Sequence, residues 1–260
     1  MVVVSIPSNG VRALMEQIRG FLTLNATIIS LVKGLEAGSL QTMTEVIATA
    51  GAIHPSRIVA ISGPNLSVEI ARHEPTGAAV AGQDSWRAGL VASRIHTHYF
   101  RPYVAEDIVG VEIGGVVKNI IAMAVGAAEG LGLGVNSRSF LITRGLAEMV
   151  RLGVAMGAKS ETFLGLAGLG DLVATCSSSS SRNFFIRLSS RTRDEYRRSA
   201  KSICWHSRGG AILSGSARIG TPQGSIHADY LRSLPGNQWE TDFRRSVNIF
   251  EFWAAGNRRS

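Results

Sequence analysis

Residues 104–130 read VAEDIVGVEIGGVVKNIIAMAVGAAEG. The stretch reads as one long helix that is apolar almost all the way round, which is the pattern of a buried helix rather than a surface one. After an acidic start at Glu106, Asp107 and Glu112, the only charge before Glu129 is Lys118. Small residues crowd it: Gly114, Gly115, Ala122, Ala124, Gly126, Ala127 and Ala128. An ammonium taken out of water needs a partner or gives up its proton. Lys118 is therefore a candidate general acid/base, with burial moving its pKa toward neutrality. The plainer reading has its stem snorkelling along apolar surface to a solvent groove. The stretch is long enough to span a membrane, but its charges and frequent glycines favour a soluble core helix, so no membrane partner is expected.

Upstream of this helix, strand and helix signals alternate. The run MVVVSI ends at Pro7 and fits a short buried strand. A helix is expected over Asn9–Arg19, with Val11, Leu14, Met15 and Ile18 on one side. Strands follow at Ala26–Val32, Ile58–Ser62, Thr76–Ala81 and Tyr99–Val104. Helices are expected at Ser39–Thr49, Leu66–Arg72 and Trp86–Ile95. Such alternation predicts an α/β fold, a parallel sheet with helices on both faces. Ligands of open α/β sheets bind beyond the carboxyl ends of the strands, which puts Lys33 and Gly63 in that crevice.

Downstream of Val104 the signals are helical. A second helix is expected over Ser137–Gly157, and FLGLAGLGDLVAT (163–175) then carries Asp171 in an apolar setting where a lone carboxylate is costly. Neither glycine cluster, 130–134 or 165–170, follows a strand, so both read as packing or loop glycines rather than dinucleotide turns. Ser181, Arg182 and Asn183 offer groups suited to phosphate. The expected organisation is a partial dinucleotide-binding domain at 1–103, a helical substrate domain at 104–183 and a tail at 184–260.

The tail differs in composition. Of the chain's 27 basic and 19 acidic residues, 13 of each lie in residues 1–181, so the net charge of +8 belongs to the last third. Trp205, Trp239 and Trp253 also lie there, with Lys201 the tail's one lysine and no sustained periodicity. A basic disordered tail that binds nucleic acid, a divergent helical region and out-of-frame translation all fit, and the abrupt change favours the last. Cys176 and Cys204 give neither a disulfide framework nor metal-ligand spacing, and a reducing cytoplasm is expected.

The group LVKGLE around Lys33, ISGPN around Gly63, VEIGGVVKNIIAMAVG around Lys118, GLAGLGDLVATC around Asp171 and SRN at 181–183 resembles the bacterial NAD(P)-dependent glycerol-3-phosphate dehydrogenases, in order and spacing, from the start to about Asn183. The resemblance implies a Rossmann-like sheet and hydride transfer between glycerol 3-phosphate and dihydroxyacetone phosphate, with NAD or NADP, in glycerophospholipid precursor synthesis. Lys118 would be the catalytic acid/base. Lys33, Gly63, Asn65, Lys118, Asp171, Ser181, Arg182 and Asn183 would bind substrate, with Asn119 and Thr175 beside Lys118. Lys33, Ser67 and Arg182 would face the cofactor. No metal and no nucleic acid are implied, and a homodimer fits. Asn65 and Ser67 depart from the family's small hydroxyl and alanine. The family's opening G-x-G-x-x-G unit, roughly 70 to 80 residues, is not found, and neither is its later Val-x-Glu-Gly segment. Competing readings are a non-catalytic remnant, or a helix-lysine dehydrogenase of the 3-hydroxyacid or 6-phosphogluconate type, against which GLGDL and SRN argue.

Overall fold

A computed structural model describes residues 1–130 and 132–177. Five strands, β1 (Val2–Val4), β2 (Ile28–Ser30), β3 (Ile58–Ser62), β4 (Thr76–Gly82) and β5 (Phe100–Ala105), form one sheet in the order β1-β2-β3-β4-β5. The helices are α1 (Val11–Ile18), α2 (Met43–Gly51), α3 (Ser67–Ala71), α4 (Ser85–Ile95), α5 (Ile108–Gly130), α6 (Val135–Ala155) and α7 (Asp171–Ser177). The tail, and with it every reading made of residues 178–260, lies outside the described residues.

The α/β class holds, but the sheet is not all parallel as the alternation implied. β1, β2 and β3 run together and β4 and β5 run together, while β3 and β4 are antiparallel. The reason is the connection between them. A parallel return needs a helix that crosses the sheet and buries a face on it. The five-residue α3 buries no residue. The chain instead reverses at Gly63, whose φ of +147° no side chain adopts comfortably, and whose missing Cβ would sit 3.1 Å from the Ala78 backbone.

Alternate residues of the strands face opposite layers, as the period of two requires. Val4, Ile28 and Ile58 join Val11 and Met15 of α1 and Met43, Val46 and Ile47 of α2 in one core. Ile29, Val59, Ile61, Ala78 and Val80 face Ala88 and Val91 of α4 on the other side. Two boundaries differ from the sequence reading. α2 starts at Met43 rather than Ser39, because Thr42 and Glu45 form a reciprocal capping box. α5 starts at Ile108 rather than Val104, because Val104 and Ala105 pair with β4 and Asp107 then accepts the Gly110 N–H at 2.8 Å.

α5 belongs to two cores. Its first turns lie on the sheet, where Val111 packs on Ala60, Ala79, Ala81 and Ala167. The alanines let the helix axis come close. Its later turns supply Ile121 and Val125 to a helical core with Met149 of α6, Phe163 and Leu172. One helix thus serves both cores. α5 is also the one helix among the described residues long and apolar enough to cross a membrane, yet 67% of its most apolar stretch is buried inside protein.

The glycines of α5 and of the turn after α6 are contact points. A Cβ on Gly114 would lie 2.4 Å from the Ala167 carbonyl, and one on Gly168 2.2 Å from that of Phe163. Backbone atoms cannot swing aside as a flexible side chain can. Gly114→Ala is therefore expected to destabilise by about 1–3 kcal/mol or more. Gly89→Ala, inside α4 with nothing within 4 Å of the added Cβ, should stabilise by about 0.5–1 kcal/mol through helix propensity. Urea unfolding of the two variants checks this opposition of sign.

Candidate active site

Three stretches distant in sequence converge beyond the carboxyl ends of β2 and β3. Lys33 follows β2, Gly63 follows β3, and the third is the turn Leu166–Gly170, a π-helical turn that delivers Asp171 to the first position of α7. A helix N-terminus favours a carboxylate. α5 passes over all of them and contributes Lys118.

The centre is the Asp171 carboxylate, 2% exposed. Its Oδ2 accepts a hydrogen bond from Lys33 Nζ at 2.5 Å, and its Oδ1 accepts one from Lys118 Nζ. Lys33 Nζ also donates to the Gly63 carbonyl at 3.2 Å. Lys118 Nζ donates to Thr175 Oγ1 at 2.7 Å, and the Thr175 hydroxyl donates to the Asp171 carbonyl, also at 2.7 Å. Lys118 is buried, so the snorkelling alternative is excluded. Burial holds its pKa down, the nearby Lys33 ammonium lowers it further, and Asp171 pulls it back; the result is about 8, against an ordinary 10.5. Two ammoniums share one carboxylate, so the cluster carries one unneutralised positive charge and favours an anionic ligand or a developing oxyanion.

The other anticipated residues divide. Gly115, one turn before Lys118, has no room for a side chain: a Cβ there would be 2.7 Å from Ser62 Oγ and 3.3 Å from the Lys33 stem. The Gly63–Asn65 turn forms the wall beside this cluster, with the Asn65 N–H donating to the Gly63 carbonyl at 2.7 Å. Ser62 Oγ and Asn65 Oδ1 are buried without a partner among the described residues, which leaves polar atoms free for a ligand. Asn119 is less direct. Its amide donates at 3.3 Å to the Gly115 carbonyl of its own helix. Ser67 stands exposed at the start of α3. Ser181, Arg182 and Asn183 lie outside the described residues. Cys176 packs into the helical core, where burial pushes its thiol up to about 12, so it is a packing residue rather than a nucleophile.

Glu112 was grouped with the acidic start of the helix, and its place is different. It is 7% exposed and accepts from Thr44 N–H at 2.9 Å and Thr44 Oγ1 at 2.5 Å. Burial, partly offset by those hydrogen bonds, raises its pKa to about 7. Asp107 is likewise structural: beyond its cap of α5, Oδ2 accepts from Lys159 N–H at 2.8 Å and Thr162 Oγ1 at 2.6 Å. The available signal was an acid inside a helix otherwise apolar on every side, which demands a partner as Lys118 does.

Comparison with known proteins identifies the family. Residues 1–88 match the family description "NAD-dependent glycerol-3-phosphate dehydrogenase N-terminus", and residues 107–197 match its C-terminus, somewhat past the point where the resemblance in sequence was seen to end. The NAD(P)+-dependent glycerol-3-phosphate dehydrogenase of Corynebacterium glutamicum is 50% identical over 183 residues, 70% of this chain and 55% of that protein. The enzyme of Streptomyces griseus is 52% identical over 178 residues, 68% of this chain and 53% of its own length. The chain thus spans about half the length of the curated relatives it matches. The crystal structure of glycerol-3-phosphate dehydrogenase from Coxiella burnetii superposes with a TM-score of 0.77 at 32% identity, covering 95% of this chain and 72% of that one. The yeast glycerol-3-phosphate dehydrogenase, at 24% identity and a TM-score of 0.72, shares the fold. With both halves of one family matched in order and a 32% identical structure covered over most of its length, the chain belongs to the NAD-dependent glycerol-3-phosphate dehydrogenase family.

Proposed function

We propose that this chain carries out, or carries the proton-handling machinery for, the interconversion of glycerol 3-phosphate and dihydroxyacetone phosphate, a step toward glycerophospholipid precursors. The observation that carries the reading is the pair of lysines on Asp171. A ketone becoming an alkoxide at C2 needs a proton donor and a positive field, and Lys118 with Lys33 offers both.

In the reducing direction, Lys118 gives its proton to the C2 oxygen and is left as a neutral amine. In the oxidising direction the neutral amine takes the C2 hydroxyl proton. Asp171 and Thr175 hold the amine in place in both states, and Lys33 supplies the remaining positive charge. The nicotinamide ring, when bound, supplies or accepts the hydride at C2. Its fit here is to the crevice wall: Lys33 and the buried Asn65 Oδ1, which has no partner among the described residues, suit its polar substituents, with Arg182 and Ser67 expected toward the same group. The described residues contain no G-x-G-x-x-G turn between a strand and a helix, so no residues for the pyrophosphate are assigned among them. Ser181, Arg182 and Asn183 are the proposed phosphate ligands. The burial of α5 inside protein argues against its crossing a membrane.

Purified protein given dihydroxyacetone phosphate and NADH or NADPH should oxidise the nicotinamide, and Lys118→Ala should remove that turnover; absence of turnover in the unsubstituted chain would sink the catalytic reading. The direction of the Lys118 shift sets the pH dependence. Reduction needs the ammonium, so kcat/KM should fall above pH about 8, by about tenfold per pH unit for a single titration. Oxidation needs the free amine, so it should rise with pH and level off above the same point. Asp171→Asn leaves the buried Lys118 ammonium and the half-buried Lys33 ammonium without a counter-charge and should cost about 3–5 kcal/mol in urea unfolding. Lys33→Met leaves Lys118 its carboxylate and should cost clearly less.

A further inference from the structure

Glu112, Gly115 and Lys118 lie three residues apart along α5, on one i+3 ridge. All three face the connection between β2 and α2, residues 31–42, together with the first turn of α2. Glu112 grips Thr44, at the start of α2. Gly115 makes room for the Lys33 stem. Lys118 meets Lys33 head to head across Asp171.

The connection is tied into one body. Leu35 bridges Thr42, the Glu36 N–H donates to Gln41 O at 2.9 Å, and Ser39 Oγ donates to Glu36 at 2.5 Å. Arg12 of α1 clasps Glu36 at 2.7 and 2.8 Å and Gln41 at 3.0 Å. A segment so tied is cross-braced from Leu35 to Thr42, and it meets α5 at few points. Of those contacts Glu112–Thr44 is hydrogen-bonded through both carboxylate oxygens and buried on both sides, where such bonds are strong and costly to leave unmade.

We propose that Glu112 is a positioning residue for the site: its grip on Thr44 seats the 31–42 connection against α5 and so sets how closely Lys33 stands to Lys118 on Asp171. The charged groups near Glu112 are Glu45 on α2 and Lys33, which lines the same small pocket with Ser30 and Ser62. Those near Lys118 are Lys33 and Asp171, with the Cys176 thiol on α7. The charges that act on Lys118 are Lys33 and Asp171, so the proposed influence of Glu112 is through the place of Lys33.

The consequence is a direction. If the grip is lost and Lys33 retreats, Lys118 loses a repelling neighbour and titrates higher. A direct electrostatic role for Glu112 would do the opposite, because removing a negative charge disfavours an ammonium. The significance of the shift rests on Lys118 being the acid/base, but the readout does not: Lys118 is titrated without turnover, by competitive amine labelling of the full chain across pH and mass spectrometry of its peptide. An inactive chain therefore fails the functional reading and leaves this one decidable.

Glu112→Ala should raise the Lys118 midpoint by about half a pH unit or more, and Thr44→Val should move it the same way by less. Glu112→Gln should leave it unmoved, since an amide accepts from the Thr44 N–H and donates to its hydroxyl oxygen. With Lys33→Met already present, Glu112→Ala should add nothing. Circular dichroism identifies folded variants, and Thr44→Val decides the matter if Glu112→Ala does not fold. An unmoved or lowered midpoint in the folded variant, an equal rise in Glu112→Gln, or a rise that persists without Lys33 would each overturn the proposal.

Discussion

One buried carboxylate organises this molecule. Asp171 is 2% exposed and takes an ammonium on each oxygen, Lys33 from the sheet and Lys118 from the long helix. A carboxylate in such a place is costly unless paired. Here the pairing spans residues 138 apart in the chain, so it forms only when the sheet, α5 and the 163–177 segment are all in place. The interaction that prepares the chemistry also joins the two cores.

That joining depends on how closely backbone can approach backbone. α5 reaches the sheet over Ala60, Ala79 and Ala81, reaches the turn before Asp171 through Gly114, and reaches Lys33 through Gly115. Larger side chains at these positions would hold the helix off and separate the lysines from their shared carboxylate. The small-residue content of 104–130 thus has a site-building reason beyond packing density. Two acids fix the start of this helix: Asp107, before its first turn, on the 159–162 segment and Glu112 on α2.

Much of this is legible in the sequence, and the limits have physical causes. The strands announce themselves as short apolar runs, and the buried helix as a run with no polar face. Lys118 stands out because a charge in such a helix must be accounted for. Asp171 is conspicuous for the same reason. What the sequence withholds is partnership. That Lys33 and Lys118 meet on one carboxylate follows from the order of elements in space, which local periodicity does not encode. The reversal of β4 was hidden because a strand reads the same in either direction; only the shortness of α3 and the Gly63 turn decide it. Glu112 passed as one of the acids that open the helix because an acid near a helix start is ordinarily solvated; α5 has no acid in its first turn, and Glu112, in the second, is buried against α2. The capping box at Thr42 and Glu45 was visible as a T-x-x-E pattern and would have corrected the start of α2.

The balance of forces at Lys118 explains why two lysines are needed rather than one. Burial alone opposes the charged form, and a carboxylate at hydrogen-bonding distance restores it. Asp171 thus favours the charged form of Lys118, against the burial that opposes it. Lys33 occupies the second carboxylate oxygen and repels Lys118, which weakens the pair without dissolving it. The outcome is an amine whose pKa is brought down to about 8, which suits the proton exchange with a C2 oxygen proposed for it. In the proposed reaction the field of Lys33 would remain after proton release, so an oxyanion forming at C2 would still face a cation while Lys118 is neutral. Acid strength and charge stabilisation are thus divided between two side chains, which one lysine could not supply at the moment it gives its proton away.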